Sequence, residues 1–364
     1  MIADSLPTFL VHPSPTPVPE TERAQLLADP GFGRVFTDHM VTIRYSESRG
    51  WHDPEVRQRG PIALDPAAAV LHYAQEIFEG LKAYRGADGG VLMFQPAANA
   101  RRFQLSAARL AMPILPEALF VEALEQLVRI DAAWIPDGDG SLYLRPFMFA
   151  TEVFLGVKPS SEYLFVVIAS PVGSYFKGKA KPLSVWVSDE YARAAPGGTG
   201  AAKCGGNYAA SLLPQAEAIR HECDQVVFLD AKERRWVEEL GGMNIFFVFE
   251  DGSVRTPPLG GTILPGITRS AIITLARARG LEVREEAYSI EQWREDAASK
   301  RLREVFACGT AAVVAAIGQV RSREGDFIVG DGQEGQLTGS LRAELADIQR
   351  GRSGDPHGWR HPVT

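Results

Sequence analysis

The sequence predicts an α+β protein of two domains, and three observations point to it. A chain of 364 residues favours two domains over one. Strand-like runs are mixed with helical patterns, without the strict alternation of a doubly wound sheet. A Gly-, Lys- and Pro-rich stretch, GSYFKGKAKPL, separates two regions of dense strand signal and reads as an interdomain connection. The expected boundaries are 1–173 for an N-terminal domain with an extended arm, 174–183 for the connection and 184–364 for a C-terminal domain.

The elements follow in order. Residues 11–20 carry four prolines and read as an extended arm. Met40–Tyr45 is a strand. Between Ala67 and Leu81, Val70, Ala74, Ile77, Phe78 and Leu81 recur at helical spacing and predict a helix. KAYRGADGGVLMF reads as strand, Asp-Gly turn, strand. Helices are expected at Ala97–Ala111 and Glu117–Ile130, the second with Val121, Leu124, Leu127 and Val128 on one face. SLYLRPFMF and YLFVVIAS are strand-like. The second half opens with the strand LSVWVS and the loop APGGTGAAKCGGNY. A helix at Ala209–Glu222 is expected next, then strands at QVVFLD, WVEE, NIFFVFE and SVRTPPL. LPGITRSAIITLARARG is a helix, entered through Pro265–Gly266 and ended by Gly280. The strand EVFA, the turn CGTAA and a helix at Ser340–Ile348 complete the chain.

Composition excludes several classes. The net charge of -7 argues against a nucleic-acid partner. Cys204, Cys223 and Cys308 form neither a disulfide framework nor a zinc pair, which predicts a reducing, cytoplasmic compartment. The N-terminus reads as neither signal nor transit peptide, and no apolar run spans a bilayer. His39, His52 and His72 show no ligand spacing, so no metal is expected. There is no G-x-S-x-G for Ser/His/Asp catalysis.

Lys203 is the first chemical candidate. It lies among Gly197, Gly198, Gly200, Gly205 and Gly206, which let backbone or a planar ligand approach closely. A lysine in a tight, partly dry pocket can form a Schiff base with an aldehyde; taken alone, a solvent-facing loop lysine is the more common case. Tyr208 can hydrogen-bond an anionic ring oxygen, or be an ordinary amphipathic tyrosine. Glu238 and Glu239 enter a glycine turn, where one carboxylate can pair with a protonated ring nitrogen or stay solvated. The N–H groups of Ile267 and Thr268 open a helix and suit a phosphate, as every helix start does. Arg101 and Arg102 offer a guanidinium for that phosphate, and Thr310 offers a hydroxyl.

Taken in order, FGRVFTDHM, LHYAQEIFEGLKAY, NARRFQLSAARLAMP, SLYLRPF, KCGGNYAASLLPQ, EELGGMNIF, TPPLGGTILPGITR and ACGTAA resemble the branched-chain-amino-acid aminotransferase family. These are pyridoxal 5'-phosphate (PLP) enzymes of fold type IV. The resemblance runs from about Phe32 to about Leu341, and K-x-G-G-N-Y and E-x-G-x-M-N are its most specific motifs. It implies a smaller N-terminal α/β domain and a larger C-terminal PLP-binding domain around a mixed, barrel-like sheet. It implies that Lys203 carries PLP, Tyr208 meets the phenolic oxygen and Glu239 holds the pyridine nitrogen protonated. Arg102, the N–H groups of Ile267 and Thr268, Thr310 and the neighbouring Arg193 would take the phosphate, with Arg101 on the surface. Phe32, Tyr73 and Phe78 would wall an apolar substrate pocket, with Tyr175 a further candidate. Tyr143, with the backbone of Thr310 and Ala311, would hold the substrate carboxylate. Leu155 and Val157 would reach a neighbouring subunit's site, which implies a homodimer.

The chain departs from the family at two places. Gly242 stands where a subgroup has threonine, which removes a hydroxyl and a methyl group beside the pocket. Ala312 and Ala315 replace a C-x-x-C pair, so no thiol switch of that kind is expected. The implied activity is ping-pong amino transfer between leucine, isoleucine or valine and 2-oxoglutarate, with Lys203 as base and then acid. Tyrosine hydroxyls and polar backbone are expected to take glutamate's distal carboxylate. The rival readings are a D-amino-acid aminotransferase or aminodeoxychorismate lyase of the same fold, and a non-catalytic PLP-binding protein.

Overall fold

The computed structural model describes residues 7–173 and 181–363. The chain forms two compact units: Met1–Tyr175 with Asp347–Thr364, and Phe176–Ala346.

The first unit is built on a nine-stranded sheet. Its strands run in the order Leu10–Val11, Gly50–Gln58, His39–Ser46, Glu162–Val172, Ser141–Ala150, Leu81–Arg85, Val91–Phe94 and Arg360–Val363. Glu76–Phe78 pairs beside Ser141–Ala150. Apart from the Leu10–Val11 pairing these ladders are antiparallel. Helices Pro96–Arg109 and Glu117–Ile130 bury their apolar faces, and Phe103, Phe120 and Phe165 meet with ring centroids 5.4–5.9 Å apart. Each of those three rings removes a large apolar area from water.

The second unit holds a mixed nine-stranded sheet. Its order is Val237–Leu240, Gln225–Leu229, Leu183–Ser188, Val313–Arg321, Leu302–Gly309, Asn244–Phe249, Val254–Thr256 and Val283–Glu285, with Phe327–Ile328 on Val313–Arg321. Val237–Leu240 stands first in that order and Asn244–Phe249 sixth. Yet only the turn 241–243 joins them, and the Leu240 N–H donates to the Met243 carbonyl at 2.9 Å. The sheet must therefore roll back on itself, which gives the barrel-like shape expected of it. Val185, Val227, Ile245, Phe247, Trp293 and Val305 fill its interior.

Three expectations need correction. The helix foreseen over 67–81 exists only as Val70–Tyr73. Ala74 takes a left-handed φ of 50°, and Glu76–Phe78 leaves as a strand against Phe147–Phe149. That pairing satisfies the backbone and buries Ile77 completely, which outweighs the helical spacing. The helix foreseen at 209–222 divides into Gly205–Ala209 and Leu212–Arg220. Finally, the C-terminal tail returns to the first unit: Arg360–Val363 pairs with Val91–Phe94. Residues 347–364 thus leave the expected C-terminal domain, and the first unit becomes the larger.

His39 is a structural residue. Its Nδ1–H donates to Asp131 at 2.7 Å, its backbone N–H donates to the same carboxylate, and its Nε2 accepts the Ser14 N–H at 2.8 Å. The pair ties the proline-rich arm to the sheet. Asp131→Ala leaves two buried donors without an acceptor and should cost roughly 1–3 kcal/mol, read as a loss of unfolding free energy in urea.

Candidate active site

The second unit gathers most of the cofactor candidates at the seam where its sheet closes. Lys203 is half-buried and its Nζ donates to the Tyr208 hydroxyl at 2.7 Å. The loop before it is knotted by Asn207. Its amide donates to the carbonyls of Thr199 and Ala202, both at 2.8 Å, and its oxygen accepts the Thr199 hydroxyl at 2.7 Å. Gly200 lies against backbone: a Cβ there would sit 2.4 Å from the Thr262 carbonyl oxygen.

Glu239 is 3% exposed and is held on every side. Oε1 faces Arg193 at 2.7 Å and accepts the Leu264 N–H at 3.1 Å; Oε2 accepts the Asn244 amide at 3.1 Å. Burial pushes its pKa up to about 7, against the opposing pull of Arg193, the Leu264 N–H and Lys203. Asn244 also donates to the Leu264 carbonyl at 3.1 Å. Gly266 makes room for it, since a Cβ there would fall 2.0 Å from Asn244 Oδ1.

Beside these groups lies a cleft lined by Arg193, Ala202, Tyr208, Glu239, Gly242 and Leu264 among others. The donor set fits PLP: the Tyr208 phenol and the buried Glu239 carboxylate face one cleft, and the Lys203 amine donates to that phenol. Gly242 lies beside Tyr208, where an added Cβ would make ordinary contact at 3.8 Å with its ring; the missing threonine therefore leaves open space, not a forced glycine. Ile267 and Thr268 open the helix Ile267–Ala278 behind Gly266, and their N–H groups have no partner within that helix. Thr310 and Ala311 form the turn between Leu302–Gly309 and Val313–Arg321. The Arg193 guanidinium is engaged by Glu239 and by the carbonyls of Gly200 and Thr262, so it braces the carboxylate.

The first unit holds the other candidates. Arg102 is 7% exposed and forms a two-point pair with Glu79, Nε to Oε1 at 2.7 Å and Nη2 to Oε2 at 2.8 Å. Arg101 is at the surface with Glu117. Phe32 meets Tyr143 edge-on at 5.3 Å. Tyr73 donates its hydroxyl to the Leu155 carbonyl. Leu155 and Val157 are exposed. Tyr175 lies outside the described residues, as does most of the expected connection.

Arg145 was not among the sequence candidates. Its guanidinium lies 4.8 Å from the Phe78 ring centroid and 5.3 Å from that of Tyr143, and donates to the Tyr143 hydroxyl at 3.1 Å. With Phe32, Phe36, Tyr143 and Ile168 it lines a cavity. Its Nε is buried and unpartnered among the described residues. Asn207 and Asn244 were likewise not singled out, although both stand inside the two most specific motifs.

The comparisons with known proteins decide the family. The sequence model of amino-transferase class IV matches residues 76–320. A probable branched-chain-amino-acid aminotransferase of Streptomyces coelicolor is 56% identical over 360 residues, 98% of this chain and 99% of that protein. The chain belongs to the branched-chain-amino-acid aminotransferase family. The branched-chain-amino-acid transaminase 1 of Bacillus subtilis is 49% identical over 331 residues, 90% of this chain and 93% of that one. The solved aminotransferase of Escherichia coli superposes with a TM-score of 0.73 at 31% identity, covering 90% of this chain and 99% of that chain. Class IV aminotransferases use PLP, in agreement with the cleft.

Two predictions follow for this family member. Gly266→Ala should displace Asn244 and weaken PLP binding about tenfold or more, as overpacking by 1–3 kcal/mol implies, with unchanged circular dichroism. A protonated pyridine nitrogen needs an ionised Glu239, and burial raises that group's pKa. PLP affinity of the cofactor-free protein should therefore rise as pH rises through about 7, and Glu239→Gln should remove that rise in a binding titration.

Proposed function

We propose that this chain transfers the amino group of L-leucine, L-isoleucine or L-valine to 2-oxoglutarate, giving the branched 2-oxo acid and L-glutamate by a ping-pong route. The observation that carries the reading is the buried Glu239 carboxylate sharing one cleft with Tyr208, whose hydroxyl accepts from the Lys203 amine. Bound PLP supplies an aldehyde carbon and an electron-accepting ring. Lys203 is the attachment point. Its Nζ would serve as base and then acid for the proton of the substrate α-carbon. Glu239 would hold the ring nitrogen protonated, and the Tyr208 hydroxyl would meet the phenolic oxygen. The Ile267 and Thr268 N–H groups would hold the phosphate, with Thr310 and Arg102 added on the strength of the resemblance.

The pocket roles of Phe32, Tyr73, Phe78 and Tyr143 are proposed with it, as are those of the Thr310 and Ala311 backbone. An aliphatic side chain gains roughly 1.5–3 kcal/mol on burial, so discrimination among the three substrates is weak. Arg145 adds what the tyrosines alone lack. Its unpartnered Nε and lack of a described carboxylate partner suit the distal carboxylate of glutamate. Exposed Leu155 and Val157 support a homodimer, and three free cysteines support a cytoplasmic enzyme. No helix of the described residues is long and apolar enough to cross a membrane, and no described His/Cys/Asp/Glu group suits a metal.

The reading is tested by titrating the PLP-loaded protein with L-leucine. The long-wavelength absorption should disappear and return with 2-oxoglutarate, and Lys203→Ala should abolish both changes. A response to D-alanine alone would transfer the chain to the D-specific rival. Arg145→Gln should lower kcat/KM for 2-oxoglutarate about 10- to 100-fold, from the 1.5–3 kcal/mol of a charged hydrogen bond. The leucine half-reaction should change far less.

A further inference from the structure

Tyr143 and Arg145 lie two positions apart on the strand Ser141–Ala150, so their side chains share one face of the first unit's sheet. The neighbouring segment runs past them in a single register. Phe78 pairs with Phe147 and Leu81 with Leu144, and between them the Glu79 N–H donates to the Pro146 carbonyl at 2.7 Å. Gly80 therefore stands opposite Arg145, and Lys82 opposite Tyr143. The Tyr143 ring leans diagonally across to Gly80. A Cβ added there would fall 2.8 Å from Tyr143 Cζ and closer still to the hydroxyl oxygen. From this position the hydroxyl accepts from Arg145 Nη2 at 3.1 Å.

Backbone conformation does not require this glycine, because Gly80 has no left-handed φ. The three nearest atoms an added Cβ would meet all belong to Tyr143. The backbone here is pinned. The Gly80 N–H donates to Glu79 Oε2 at 3.1 Å, and its carbonyl accepts the Asn99 amide at 3.3 Å. Glu79 is itself fully buried and held by Asn99 and Arg102. A side chain at position 80 would therefore move the tyrosine and not the strand. Phe32, edge-on to Tyr143, is 47% exposed and can yield to that movement. The fold would survive it, but Arg145 would lose the hydroxyl that fixes it. We propose that Gly80 is a positioning residue for the dicarboxylic substrate: the notch it leaves seats Tyr143, which in turn holds Arg145 for the distal carboxylate.

This inference rests on the Arg145 reading above, and a cycle of variants separates the two. Values of kcat/KM for L-leucine and for 2-oxoglutarate are compared in wild type, Gly80→Ala, Arg145→Gln and the double variant. Gly80→Ala should lower the value for 2-oxoglutarate about tenfold more than that for leucine, as loss of one charged hydrogen bond implies. Its urea midpoint and PLP absorption should match wild type, which a merely structural glycine would not allow. In the Arg145→Gln background the same substitution should change the ratio of the two values by less than about twofold. An equal fall in both backgrounds overturns the inference. So does a wild-type ratio in Gly80→Ala when Arg145→Gln is impaired. A wild-type ratio in Arg145→Gln overturns the Arg145 reading, and this inference with it. A second readout needs no variant to fold. In PLP-loaded wild type with 2-oxoglutarate present, the Gly80 α-protons should show a strong nuclear Overhauser contact with the Tyr143 ring protons, and its absence overturns the notch.

Discussion

A carboxylate buried beside a cleft is the constraint around which the second unit is arranged. Glu239 cannot be solvated, so the fold must supply its partners: Arg193, the Asn244 amide and the Leu264 N–H. Each comes from a different segment, and the roll of the sheet brings them together. The three-residue turn between Val237–Leu240 and Asn244–Phe249 places the acid and its amide on opposite sides of one seam. Gly266 then has to lack a side chain so that Asn244 can keep its position. A carboxylate fixed in this way is the partner a pyridinium needs, and a bound pyridinium would offset the cost of burying it.

Lys203 depends on the same logic at shorter range. Asn207 stitches the glycine loop to itself, and Gly200 lets that loop touch the Thr262 backbone. Thr262 carries Arg193 on its carbonyl and Glu238 on its hydroxyl. The loop that presents the amine and the brace of the acid therefore share a residue. A disturbance of either is expected to reach the other.

Much of this was legible in the sequence, and the omissions have physical causes. Continuous apolar runs such as YLFVVIAS and NIFFVFE are strands because they fill both faces of a buried sheet. Glu117–Ile130 is a helix with the bounds its apolar face foretold. Residues 67–81 misled because Ile77 and Phe78 satisfy a helical spacing while their burial comes from cross-strand pairing with Phe147 and Met148. The tail ending HPVT has no strong pattern of its own and becomes a strand only because Val91–Phe94 offers an edge. Lys203, Tyr208 and Glu239 could be named from their motifs. Arg145 could not, since a cation two residues beyond Tyr143 reads as a solvated strand residue until its cavity is seen. The bracing role of Arg193 was hidden for the same reason: it depends on a partner 46 positions away, a distance set by the roll of the sheet.

The central claim is that Glu239 stands ionised against the cofactor ring and keeps its nitrogen protonated. Nitrogen-15 NMR of the protein loaded with ring-labelled PLP tests it most directly, above the range in which Glu239 titrates. A pyridinium shift that persists there is the predicted result. A free-pyridine shift in folded, PLP-loaded protein would contradict the account, because the buried carboxylate would then have no cation to hold.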